Sequence, residues 1–265
     1  MPKFAANLSL MFNEMEFLDR FAAARRAGFS AVEYLFPYAY DARILAERLK
    51  ANGLQQVLFN GPPGDWEGGD RGMAALPGRE AEFSRGLGQA LAYAETLGCP
   101  RIHVMAGIPA PAADLSRCES VYVDNLRHAA AASASAGVAV MIEPLNPTDF
   151  PGYFLNSPRQ ARRIIEAVGA HNLRLQYDFY HQQMAHGALS ETFRAHLDII
   201  GHVQIAGVPG RHEPDESQEI SFPYILTLLD ASGYDGWVGC EYRPRAGTEA
   251  GLAWARKYGV AAGPG

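Results

Sequence analysis

Four oxygen-bearing side chains recur at near-regular spacing through the second half of this 265-residue chain: Glu143, Asp178, Gln204 and Glu241. The intervals are 35, 26 and 37 residues, each about one repeat of a strand and a helix. Glu143 follows Met141-Ile142, Asp178 follows Gln176-Tyr177, Gln204 lies within Val203-Gln204-Ile205, and Glu241 follows Gly239-Cys240. If those short runs are neighbouring parallel strands, all four side chains reach the same rim. Three carboxylates converging in a cavity of low dielectric repel one another unless something compensates them. A divalent cation does so, and an all-oxygen donor set favours Mg2+ or Mn2+, with Co2+ as a substitute, over metals that prefer thiolate or imidazole. Each residue taken singly could be a helix cap or an ion-pair partner. Their equivalent positions favour a joint site.

The elements that would carry them read as eight units. Strand-like runs are expected at 4–10, 31–36, 55–60, 101–106, 139–145, 173–178, 202–206 and 237–242. Helical periodicity fills the gaps at 14–27, 41–52, 80–97, 118–136, 157–168 and 222–231. Gly28, Gly53, Gly98, Gly137 and Gly233 stand where helices should stop. Near-continuous apolar runs such as Ala139-Val140-Met141-Ile142 suit strands buried on both faces, as in a parallel sheet. Eight alternating units favour a single α/β (β/α)8 TIM barrel. An open doubly wound sheet would want a glycine-rich phosphate turn after its first strand, and Leu8-Ser9-Leu10-Met11-Phe12 is none. Residues 1–258 are therefore expected to form one barrel, and 259–265 a flexible tail. The irregular stretch 61–78 is long enough to be a functional lid.

Composition narrows the partners. The chain is 48% hydrophobic and 20% charged, which excludes a disordered protein. Its 23 basic and 29 acidic residues give a net charge of −6, and no run of Lys or Arg exceeds two residues, which argues against nucleic acid. No apolar run is long enough for a membrane span. Cys99, Cys118 and Cys240 form neither a disulfide framework nor a metal pattern, pointing to a reducing, cytoplasmic setting.

The motifs also carry a resemblance. They are Gly64-Asp65-Trp66 with Gly69-Asp70-Arg71-Gly72, Ile142-Glu143-Pro144-Leu145-Asn146, Tyr177-Asp178-Phe179-Tyr180-His181, His202-Val203-Gln204-Ile205-Ala206 with Pro209-Gly210-Arg211-His212-Glu213-Pro214, and Gly239-Cys240-Glu241-Tyr242. In these the chain resembles the hydroxypyruvate isomerase and 2-oxo-tetronate isomerase family of the xylose isomerase-like barrels, from Phe4 to about Tyr258. The resemblance implies a metal held by Glu143, Asp178, Gln204 and Glu241, with Glu143 and Glu241 also serving as acid and base. It implies an aldose–ketose isomerase acting on hydroxypyruvate, or on a 2-oxo-tetronate. Related ketose 3-epimerases carry His where this chain has Gln204, which weighs against a sugar epimerase.

Such chemistry assigns further candidates. A hydroxy-oxo acid substrate brings a carboxylate that Arg211 can meet with paired hydrogen bonds. His181 resembles the family's donor to a substrate oxygen. Asp149 either orients Glu143, binds substrate or is a turn aspartate. Trp66 and Arg71 are expected either to close over the ligand or to pack their loop. His103 and His202 read as core or supporting residues. The partner is thus a small hydroxy-oxo acid, with a homo-oligomer left open. A metal-dependent nuclease would need more histidine ligands and a basic face. A non-catalytic sugar-acid binder would have no use for both glutamates.

Overall fold

In the computed structural model, residues 1–260 are described, and strand alternates with helix from the N-terminus. The strands are β1 (Lys3–Asn7), β2 (Ala31–Tyr34), β3 (Gln55–Asn60), β4 (Arg101–His103), β5 (Ala139–Ile142), β6 (Leu173–Asp178), β7 (Ile200–Ile205) and β8 (Trp237–Cys240). Each pairs in parallel with the next, and β1 pairs with β8, so the sheet closes into an eight-stranded barrel. The helices are α1 (Arg20–Arg26), α2 (Ala42–Asn52), α3 (Glu80–Leu97), α4 (Leu115–Ala134), α5 (Pro158–Val168), α6 (Phe179–Ala185), α7 (Leu189–His196), α8 (Phe222–Ala231) and a short α9 (Thr248–Gly251). A 3-10 segment, Leu252–Tyr258, follows. The expected (β/α)8 architecture is the observed one.

Local chemistry explains where the helices start. Ser157 Oγ accepts from the Gln160 N–H, Pro158 fills the first turn, and Ala161, Ile164, Ile165 and Val168 line up on the buried face of α5. The expected helix at 118–136 begins a turn earlier, at Leu115, because Asp114 Oδ1 accepts from the backbone of Ser116 (2.9 Å). The expected helix at 14–27 divides into a 3-10 turn, Phe17–Asp19, and α1. The pair α6 and α7 was not anticipated. Most strands stop one to three residues before their expected ends, as at Ile142, where Glu143 is followed by Pro144 with no N–H to extend the ladder; β7 begins two residues earlier than expected.

Period-two alternation layers the barrel interior. Low in the barrel Ala5, Ala31, Val57, Leu58 and Met141 form one apolar cluster, and Arg101 donates there to the Val57 and Gly201 carbonyls. Above it lies a buried polar layer containing Asn7, Glu33, His103, Gln176 and His202, and above that is the rim. The main core packs between the sheet and the helices. All three cysteines are buried and free. Among the described residues no helix is long and apolar enough to cross a membrane. Of the expected tail, Val260 is buried against the core, and 261–265 lie outside the described residues.

Candidate active site

The barrel brings Glu143, Asp178, Gln204 and Glu241 to the C-terminal rim of four successive strands, all buried. Asp178, the last residue of β6, has two tasks. Its Oδ1 accepts from the Tyr180 N–H (2.8 Å) and so caps α6, while Oδ2 faces Arg211 Nη2 (3.5 Å) and His181 Nε2 (3.8 Å). Glu143 Oε2 accepts from Gln176 Nε2 (2.9 Å), and its Oε1 is buried without a partner. Gln176 Nε2 also donates to Gln204 Oε1 (2.7 Å), which joins two of the four candidate ligands. Glu241 Oε2 takes a charged hydrogen bond from Arg211 Nη2 (2.7 Å).

Arg211 sets a positive charge among these carboxylates. It lies in the loop after β7 at φ +57°, a left-handed conformation that disfavours residues other than glycine. The loop holds it there: Gly207 pairs with His212, and the Arg243 N–H donates to the Arg211 carbonyl (2.7 Å). Its Nε donates to the Glu241 carbonyl (3.2 Å), and the guanidinium lies 5.0 Å from the Tyr180 ring centre. Among the described residues Nη1 makes no hydrogen bond, so two N–H groups remain for a ligand.

His181 stands on the first turn of α6. The Asn146 backbone N–H (3.1 Å) and Asn146 Nδ2 (2.8 Å) both point at its Nδ1, which must therefore accept. The ring proton is then on Nε2, aimed at Asp178. Among the described residues Asp149 shares no hydrogen bond with Glu143. It accepts from Asn146 Nδ2 (3.0 Å) and Tyr180 Oη (2.8 Å), bracing the residues beside His181 and Arg211. Of the strand histidines, His103 Nδ1 lies 3.7 Å from Glu143 Oε2, in the layer beneath the rim. Trp66 and Arg71 stand together in the long loop, with the guanidinium 4.0 Å from the indole centre and Trp66 against Phe36. The hydrogen bonds of Arg71 stay within that loop, on the Trp66 and Asp70 carbonyls. A bridge between Gly72 and Ala106 ties the loop to the chain just beyond β4.

Electrostatics follow from this enclosure. Burial pushes Glu143 well above the usual carboxylate range, and the charges of Glu241 and Asp178 push it further. Burial likewise raises Asp178 to about 6 and Glu241 to about 7, with Arg211 offsetting part of the rise in both. Burial and the nearby guanidinium keep His181 neutral, well below its ordinary value, and burial lowers His103 to about 3.

These residues suit a divalent cation. Three carboxylates and one guanidinium leave a formal charge of −2 once all are ionised. Glu143 Oε1 is an orphaned buried acceptor, and Gln204 Oε1 keeps a second lone pair. Ligand atoms of Glu143, Asp178 and His181 fall within 4.8 Å of one another. Because His181 Nε2 carries the proton, it suits a donor to a substrate oxygen better than a ligand.

Sequence reading had passed over a set of supporting residues: Asn7, Glu33, Asn146 and Gln176. Parity along the strands could have found several of them. Gln176 precedes Asp178 by two and so faces inward one layer down, and Asn7 and Glu33 pair across β1 and β2 in the same layer.

A closed parallel barrel with carboxylates on its rim defines the class: xylose isomerase-like TIM barrels, whose family model matches residues 21–258. Within that class, similarity is high over nearly the full length. A 2-oxo-tetronate isomerase of Cupriavidus necator is 56% identical, with 97% of this chain and 99% of that protein covered. The hydroxypyruvate isomerase of Escherichia coli is 43% identical, with 97% and 100% covered. A crystal structure from Brucella melitensis, titled AP endonuclease, family 2, superposes with a TM-score of 0.95 at 49% identity, covering 97% and 99%. The chain belongs to the hydroxypyruvate isomerase and 2-oxo-tetronate isomerase family, a family of isomerases.

Proposed function

We propose that this protein is a divalent-metal-dependent isomerase of short hydroxy-oxo acids, converting hydroxypyruvate to 2-hydroxy-3-oxopropanoate through an enediolate. The observation that carries this reading is the rim itself, where two buried glutamates flank Arg211 and Asp178 while a neutral histidine points its N–H at the same space. In the reaction the C3 proton leaves, C2 gains one, and the carbonyl and hydroxyl exchange places. Of the two buried glutamates, Glu143 and Glu241, one takes the C3 proton and the pair delivers a solvent-exchangeable proton to C2. Asp178 and Gln204, with the two glutamates, hold Mg2+ or Mn2+. A cation bound there would supply Lewis-acid stabilisation of the developing negative charge. His181 Nε2–H donates to the same oxyanion. Arg211 Nη1 grips the substrate carboxylate, and Trp66 with Arg71 closes the rim against water.

A four-carbon 2-oxo-tetronate is the second reading, favoured by the 56% identity to an isomerase named for it. Both substrates present the same carboxylate, C2 oxo and C3 hydroxyl, and one extra carbon changes discrimination by only ~1–3 kcal/mol. The buried thiols suit a cytoplasmic setting. Net charge −6 and the carboxylate-rich rim argue against DNA cleavage, so abasic-site DNA should stay intact. The deciding experiment incubates Mn2+-loaded protein in D2O with each acid and follows it by proton NMR. Isomer with deuterium at C2, lost on chelation, is the expected result. No exchange and no isomer from either acid would refute the reading.

A further inference from the structure

Beneath the rim lies a buried carboxylate to which the proposed reaction gives no task. Glu33, on β2, is fully buried and accepts three hydrogen bonds. Asn7 Nδ2 (3.1 Å) and Gln204 Nε2 (2.8 Å) meet its Oε1, and His202 Nε2 (2.7 Å) meets its Oε2. The donors come from β1 and β7, so one side chain ties three strands inside the barrel. Space is reserved for it: a Cβ built on Gly239 of β8 would collide with both Glu33 oxygens. This glycine therefore has a packing reason in the sheet.

A glutamine ligand poses a problem that an aspartate does not. The oxygen and nitrogen of its amide are nearly the same size, so shape alone does not decide which one faces the rim. Turned one way Gln204 presents a lone pair to a cation, and turned the other way it presents two N–H groups that repel one. Glu33 removes that ambiguity, because a carboxylate accepts only and would repel Oε1. Gln176 Nε2, donating to Gln204 Oε1 from the other side, reinforces the same orientation.

We propose that Glu33 is a positioning residue that locks the Gln204 amide with its oxygen toward the rim, making glutamine a competent metal ligand in this barrel. The inference rests on the metal reading above. It predicts a donor–acceptor swap. Glu33→Gln turns one hydrogen bond into an amide facing an amide with no preferred sense. Pairing it with Gln204→Glu restores an acceptor facing a donor, keeps one carboxylate and one amide in the pair, and leaves an oxygen toward the rim.

The test measures Mn2+ affinity of the full chain by calorimetry for wild type, E33Q and E33Q/Q204E, with circular dichroism and thermal midpoints establishing that each is folded. E33Q should bind Mn2+ ten- to a hundredfold more weakly, as losses of such supporting partners do. The swap should return to within about threefold of wild type, a rescue that a purely structural role would not give. If E33Q does not fold, a folded swap that binds Mn2+ supports the proposal and one that does not overturns it. E33Q binding as tightly as wild type would overturn the inference while leaving the metal reading intact. Wild type that binds no Mn2+ would overturn both.

Discussion

Charge on single side chains decides most of the chemistry at this rim. Glu143→Gln and Glu241→Gln keep shape and one acceptor oxygen but remove the carboxylate proposed to accept the proton. Each should cut turnover about 10²- to 10⁴-fold, the range for a lost general base. Thermal midpoints at pH 7.5 should not fall, because an amide is easier to bury than a carboxylate that resists ionisation. A folded variant with the wild-type rate would remove that residue from the proton path. The same groups predict how metal binding depends on pH. A cation must displace the protons that burial holds on Asp178 up to about 6 and on Glu241 up to about 7. Mn2+ affinity should therefore weaken as pH falls below about 7, by roughly tenfold per pH unit for each proton displaced. Calorimetry in buffers of different ionisation heat would count those protons, and an affinity flat from pH 8 to 5.5 would contradict the shifted carboxylates.

Secondary-structure elements place these charges, and Asp178 shows an element and the site sharing one residue. Its Oδ1 caps α6, while its Oδ2 faces the rim. Asp178→Asn keeps a good cap and loses the charge, whereas Asp178→Ala loses both. The alanine variant should be less stable than the asparagine variant by about 1 kcal/mol, read as a midpoint lower by about 2–4 °C for a chain of this size. Both should lose activity alike, and equal midpoints would show that the cap contributes nothing. Strand and helix alternation, and the four rim positions, were legible because buried parallel strands read as apolar runs, and a polar side chain at their ends, acidic in three cases and Gln204 in the fourth, stands out. The cap of α4 was readable in Asp114 yet passed over, as was the inward parity of Gln176 and Glu33. Arg211 sat in a plain Pro-Gly turn with no periodic signal. Only the folded loop brings its guanidinium onto Glu241 and Asp178, 30 and 33 residues away in sequence.

The whole barrel carries the consequence of collecting buried carboxylates in one place. In the unfolded chain Asp and Glu titrate near about 3.9 and 4.3. In the folded protein Asp178 is raised to about 6, Glu241 to about 7, and Glu143 in the same direction. Between about pH 4 and 7 the folded state thus binds more protons than the unfolded one, so stability from these groups is full below pH 4 and is lost as pH rises through 7. Ion pairs of the opposite sense, such as Asp215 held at about 2 by Arg245, contribute stability above the ordinary Asp range and lose it only in stronger acid, outside this window. Protein freed of metal by a chelator should therefore show a thermal midpoint that declines from pH 5 to 8, and Glu241→Gln should flatten the decline. Saturating Mn2+ should stabilise the protein more at pH 8 than at pH 5.5, because it competes with protons for the same oxygens and binds only the folded rim. A chelated midpoint that rises steadily across that range would mean the rim carboxylates are already compensated within the chain, and the case for a divalent cation would fall with it.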